Sequence, residues 1–165
     1  MKLEWRAPRA EDIQHILDNL RVWDRQEIFA LQRGDDDRSI AWGLIHAQEM
    51  GRADVSVGHL ERPVVCIVTA ELRPGVWSLS TFTSDEWLRV ATAVTKHLRR
   101  VIIPGMWARG AHRIQCQCMD GNPAKDRWLL SFGAEREGPH LGYGRDQETF
   151  YTWALRPGKE GKNVP

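Results

Sequence analysis

The sequence predicts an α/β fold, an α+β mixed sheet of about six or seven strands with helices on both faces. Three observations carry this expectation. Three strand-like runs, residues 54–60, 64–72 and 76–82, follow one another through short turns, and neighbours joined so closely cannot all be parallel. An amphipathic run over residues 84–102 separates 76–82 from the alternating stretch 112–119, and this is the crossover that two parallel neighbours require. Helical stretches stand before, within and after this block of strands, an order that suits a mixed sheet better than a doubly wound parallel one.

Each element has its own local reason. "KLEWR" alternates and reads as a short first strand. In "RAEDIQHILDNL", Ile13, Ile16, Leu17 and Leu20 recur at helical spacing behind first-turn acids. "VWDRQEIFALQR" makes a second helix closed by Gly34, and "DDDRSIAWGLIHAQEM" a third that stops at Gly51, with Asp35 to Asp37 at its start. "DVSVGHL" and "VVCIVTAEL" form a hairpin around "ERP", and "RPG" opens a third strand, "VWSLSTF". The long helix "SDEWLRVATAVTKHLRRVI" takes Ser84 as N-cap and lines up Trp87, Ala91, Val94, Leu98 and Val101 on one stripe. "HRIQCQCM" alternates Ile114, Cys116 and Cys118 against Gln115, Gln117 and Met119. In "GNPAKDRWLLSFGAERE", Asn122 caps a short helix, Pro123 fills its first turn and Gly133 stops it, before the strands "AEREG" and "ETFYTWAL".

Composition narrows the function classes. A chain of 165 residues with 42% hydrophobic content is one domain, residues 1–155, and the tail 156–165 has almost nothing to bury and is expected to be disordered. Lys and Arg (23) nearly balance Asp and Glu (22), so no global field recruits nucleic acid or an anionic membrane. No apolar run reaches the ~18 residues of a membrane span, and the first residues lack the apolar centre of a secretory leader, which implies a cytoplasmic location. Cys66, Cys116 and Cys118 sit in strand-like runs without C-x-x-C spacing and read as reduced core residues. The six histidines show no ligand spacing, so no metal is expected. The eight tryptophans are spread from Trp5 to Trp153 and read as core or groove lining.

The order of elements resembles the GNAT superfamily, the acetyl-CoA-dependent N-acyltransferases. Residues 122–155 resemble its last motif: an Asn after a strand, a short helix, Gly133-Ala134 where Gly-Phe usually stands, then two strands. "TSDEW", "GN", "FGAEREG" and "ETFYTW" are also similar to the internal virion protein A family of short-tailed phages, itself GNAT-like.

The resemblance implies an acetyl-CoA cleft at Phe82, Thr83, Ser84, Asp85 and Asn122. Active members carry a glycine-bearing loop before the long helix, so that bare N–H groups meet the diphosphate. Here "TFTSDEW" has no glycine, and Asp85 and Glu86 bring two negative charges, so the cofactor expected is none or weakly bound acetyl-CoA. The usual acid, a tyrosine in the short helix, falls on Leu129, and the fourth strand offers only Ser78, Ser80 and Thr81 where a base often stands. Substitute candidates are His59 and Glu71 on neighbouring strands and Tyr143 in a glycine-rich loop read as a flap over the cleft. Trp23 and Trp42 fall on the helices that form the acceptor wall in the superfamily.

The expectation is a GNAT-fold, phage-type protein with a degenerate acetyl-CoA site. It would act through phage or host protein contacts in virion assembly or in the infected host, in host cytoplasm or virion, without nucleic acid or membrane; its oligomeric state is left open. One alternative is an active acetyl-CoA-dependent N-acetyltransferase with a nonstandard site, and another is a module that holds an acyl-CoA without turnover.

Overall fold

The computed structural model describes residues 3–34 and 36–158. Asp35 and residues 159–165 of the expected tail lie outside the described residues, and Arg156 is held by ion pairs with Glu135 and Glu137. A strand β1 (Glu4–Arg6) leads to three helices, α1 (Ala10–Asp18), α2 (Val22–Ala30) and α3 (Asp37–Glu49). Strands β2 (Asp54–His59), β3 (Pro63–Arg73) and β4 (Val76–Thr83) follow, then α4 (Trp87–His97), a π-helical turn (Leu98–Ile102) and α5 (Ile103–Ala108). The chain closes with β5 (Arg113–Met119), α6 (Pro123–Ser131), β6 (Glu135–His140) and β7 (Phe150–Leu155).

The seven strands form one mixed sheet in the order β1-β2-β3-β4-β5-β7-β6. The middle strands β2, β3 and β4 are antiparallel, and β4 and β5 are parallel neighbours joined by the helical crossover, as the sequence predicts. Adjacent residues of β3 point to opposite faces and meet two different cores. Cys66 joins Ile13, Ile16, Leu17 and Phe29 beneath the first three helices, while Val65 and Ile67 join Val90, Val94 and Leu98 beneath α4. Gly75 sets the start of β5. At φ +74° its carbonyl accepts the amides of His112 (2.8 Å) and Arg113 (3.2 Å), and a β-carbon there would strike the His112 ring.

The crossover departs from the sequence expectation at both ends. Ser84 is not the N-cap: it still pairs as a bridge with Leu20, and the cap is Glu86. The helical path also continues past Ile102 to Ala108, through Pro104. Proline breaks a regular helix because it lacks a donor and crowds the carbonyl one turn back, but the wide π turn immediately before it loosens that turn. The turn also adds one residue to the apolar spacing. The buried stripe runs Val90, Val94, Leu98 and then Ile103, so Val101, expected on the stripe, is 52% exposed. Helix α2 ends at Ala30, short of Gly34. No helix among the described residues is long and apolar enough to cross a membrane.

Candidate functional site

β4 and β5 pair over Val76–Ser78 and Arg113–Gln115 and then diverge. Each keeps its outer partner: β4 is paired to β3 as far as Thr83, and β5 to β7 as far as Met119. The divergence therefore opens a wedge inside the sheet. A cavity of about 180 Å³ fills it, lined along the strands by Leu79–Phe82 and Gln115–Cys118. α2 closes the cavity with Glu27, Ile28 and Leu31, and α6 with Lys125, Trp128 and Leu129.

α6 is placed here by its cap and its aromatic contacts. Asn122 Oδ1 accepts the Lys125 amide at 3.1 Å, and Pro123 occupies the first turn. Trp128 packs edge-on to Trp87 and to Phe132, and its indole N–H donates to Thr95 Oγ1 at 2.9 Å. These contacts turn Lys125 toward α2, where it forms an ion pair with Glu27. The Met119 amide donates to the same Glu27 oxygen at 2.8 Å. Burial raises the Glu27 pKa above the ordinary carboxylate value, against the opposing pull of Lys125 and the Met119 amide. Beside this pair lie Cys116 and Cys118, with sulfurs 3.7 Å apart. Their mutual hydrogen bond, and then burial, push the Cys118 thiol far above its usual pKa.

At the far end of β4 the polypeptide turns into α4, and here most of the backbone donors are already occupied. Thr83 donates both its N–H (3.1 Å) and its hydroxyl (3.3 Å) to Asp24, a buried carboxylate on α2. The Ser84 amide donates to the Val64 carbonyl (2.9 Å), that of Asp85 to Asn19 (2.9 Å) and that of Trp87 to Ser84 (3.3 Å). The arginines of this end are also engaged. Arg21 forks onto Asp24 with contacts of 2.7–3.1 Å and lies over the Trp87 ring, while Arg62 (2.7 Å) and Arg89 both bind Glu86. The hydrogen bond from Arg62 holds the Glu86 pKa below its ordinary value. Glu86 is thus neutralised locally, and the charge expected to repel an anion from this loop is compensated, leaving Asp85 as the exposed acid.

Of the residues singled out from sequence, Phe82 lines the cavity. Thr83 and Ser84 are buried with their donors engaged, Asp85 is exposed, and Asn122 is the helix cap. The three catalytic candidates are elsewhere. His59 lies on β2, two strands from the cleft, its Nε2 3.7 Å from Asp12, and burial lowers its pKa. Glu71 accepts the Gly75 amide (2.8 Å) in the hairpin at the closed end of the wedge. Tyr143 is half exposed, with its ring beside His140 and Phe150, in a loop tied to α2 by the Arg145 amide donating to the Ala30 carbonyl (2.8 Å). Leu129 lines the cavity, Trp23 is half-buried, and Trp42 is exposed. Sequence reasoning missed Glu27, Lys125 and Asp24, which meet only in three dimensions.

No family model matches the chain, and no curated protein does. Solved structures do. RimL, a ribosomal L7/L12 alpha-N-protein acetyltransferase, superposes with a TM-score of 0.74 at 13% identity, over 94% of this chain and 91% of that one. A ribosomal-protein-alanine N-acetyltransferase from Brucella melitensis gives 0.73 at 16% identity, over 93% and 99%. Mycobacterium smegmatis RimJ in complex with CoA-disulfide gives 0.71 at 16% identity, over 98% and 85%. At such identities the likeness is one of architecture, and it agrees with the splayed parallel pair at the centre of the sheet: this chain has the GNAT acetyltransferase fold.

Proposed function

We propose that the protein is an N-acyltransferase that draws its acyl group from a thioester held in the cleft between β4 and β5. The observation that carries this reading is the Glu27–Lys125 pair lining the wedge. A pantetheine arm is an amide-bearing chain, and such a chain can take the place of a missing strand between diverging edges. The acceptor amine nitrogen attacks the thioester carbonyl carbon, the C–S bond breaks, the amine loses a proton and the thiol gains one. Glu27, raised in pKa by burial, takes the proton from nitrogen. Lys125 gives one to the departing sulfur, the work for which Leu129 has no proton, and the direct contact between the two side chains restores both. The names of the structural neighbours favour the N-terminal amine of a protein as acceptor. Acyl transfer from acetyl thioesters to a panel of peptides and amines tests the reading: Glu27→Gln is expected to lower the rate about 10²-fold. Absence of transfer by the wild-type protein overturns it.

Two observations favour a second reading, a protein without efficient turnover that works through contacts with phage or host proteins. The amides of Thr83, Ser84, Asp85 and Trp87 are spent on internal acceptors, and Val22 (75%) and Trp42 (65%) expose large apolar side chains. The phage likeness rests on sequence residues alone. Specific copurifying proteins, together with no transfer in the panel, would favour this reading.

A further inference from the structure

The wedge and the turn at its end differ in what they offer a ligand. The wedge is open between Leu79–Phe82 and Cys116–Cys118, beyond the last paired residues of β4 and β5. The turn is closed by its own hydrogen bonds. A diphosphate is ordinarily held at such a place by unspent amides at a helix start and by cations. Here Thr83 gives its amide and hydroxyl to Asp24, and the amides of Ser84, Asp85 and Trp87 have main-chain acceptors. Arg21 is forked onto Asp24, and Arg62 and Arg89 share Glu86. A phosphate arriving here must break these bonds or rely on the few donors left, such as the Leu88 amide, and the Asp24 carboxylate stands where a phosphate oxygen would accept from Thr83.

We infer that the donor is recognised through its pantetheine arm alone, so that the thioester need carry no ADP. This rests on the transfer reaction proposed above and names its donor class: an acyl thioester of pantetheine, whether a small free molecule or a phosphopantetheine arm fixed to a carrier protein. The arm enters the wedge, and whatever lies beyond it remains outside the turn. Asp24 does in this chain what a bound anion does elsewhere: it satisfies the Thr83 donors.

Dissociation constants of acetyl-CoA, acetyl-4′-phosphopantetheine and acetyl-pantetheine for the wild-type protein, measured by calorimetry, test the inference. The three are expected to agree within about threefold. Acetyl-CoA binding more than about 30-fold tighter than acetyl-pantetheine overturns the inference and leaves the transferase reading standing. Failure of all three to bind overturns both. A carrier protein bearing an acetylated phosphopantetheine arm separates the sources: faster transfer from it than from acetyl-pantetheine assigns the donor to a carrier, and equal rates assign it to a free thioester. In a folded Asp24→Asn variant, acetyl-CoA binding is expected to strengthen about three- to tenfold while acetyl-pantetheine binding stays unchanged. An unfolded variant does not affect the wild-type comparison.

Discussion

Glu27 and Lys125, 98 residues apart in the chain, form an ion pair from α2 to α6 across the cleft. Because burial raises the Glu27 pKa, the base form needed for transfer is lost as pH falls through that raised value. The acid limb of the rate profile is therefore expected above the ordinary carboxylate range, and Glu27→Gln should abolish that limb. A limb unchanged in the variant would assign it to another group. The stability effect has the opposite sense. In the window above 4.5 the native state holds a proton that the unfolded chain has released, so this carboxyl's contribution weakens as pH rises through the window.

Glu137 behaves in reverse. Its hydrogen bond from Arg113, with Arg156 alongside, holds its pKa at about 2. The stability it contributes is present above the unfolded value of 4.5 and is lost as pH falls toward about 2. Urea midpoints between neutral and acidic pH should fall less steeply for Glu137→Gln than for the wild type. Parallel curves would mean that water screens the half-exposed pair.

The α6 contacts predict graded losses of stability. Asn122→Ala removes the cap and should cost about 1 kcal/mol. Trp128→Phe loses the bond to Thr95 and should cost about 1 kcal/mol. Phe132→Ala empties a buried site and should cost about 3–5 kcal/mol. Equal small losses in denaturant unfolding would place α6 outside the cooperative core.

Replacing both Asp85 and Glu86 with glycine should not strengthen acetyl-CoA binding, because Glu86 is already neutralised by two arginines and Asp24 still takes the Thr83 donors. Without a diphosphate anchor, the wild-type dissociation constant is expected near ~1 mM. Calorimetric titration checks both statements, and a tenfold gain in the double variant would return the obstacle to charge.

Cys66 and Cys118 should resist alkylation in the native protein. Burial raises the Cys66 thiol, while its neighbour and then burial raise Cys118, so little of either is thiolate at neutral pH. Mass spectrometry after iodoacetamide should find both unmodified in native protein and all three cysteines modified in denaturant.

The fold was legible because its signals are local. Alternation marks β5, Gly75 marks the hairpin, and Asn122-Pro123 mark the start of α6. The site was not legible for the same reason. Within "VWDRQEIFALQR" nothing separates Asp24 and Glu27 from other helix acids, since their partners Thr83, Met119 and Lys125 lie 59 to 98 residues away. The helical path beyond Ile102, through Pro104, was not legible either, because no local signal marks the π turn that precedes this proline. His59, Glu71 and Tyr143 have suitable chemistry, but they stand outside the wedge lining: His59 two strands away on β2, Glu71 in the hairpin at the closed end, and Tyr143 in the loop after β6.

The short ladder of Val76–Ser78 against Arg113–Gln115 makes the sheet resemble two leaves joined at a spine. One leaf holds the strands through β4, the other β5, β7 and β6, and at the open margin α2 meets the second leaf through the Glu27–Lys125 latch and the Met119 amide. The gap between the leaves is then a tunable width. Side-chain volume at Trp77, paired with Ile114 at the spine but outside the cavity lining, would set how large an acyl group the wedge admits, and selectivity could change without altering any group that touches the substrate.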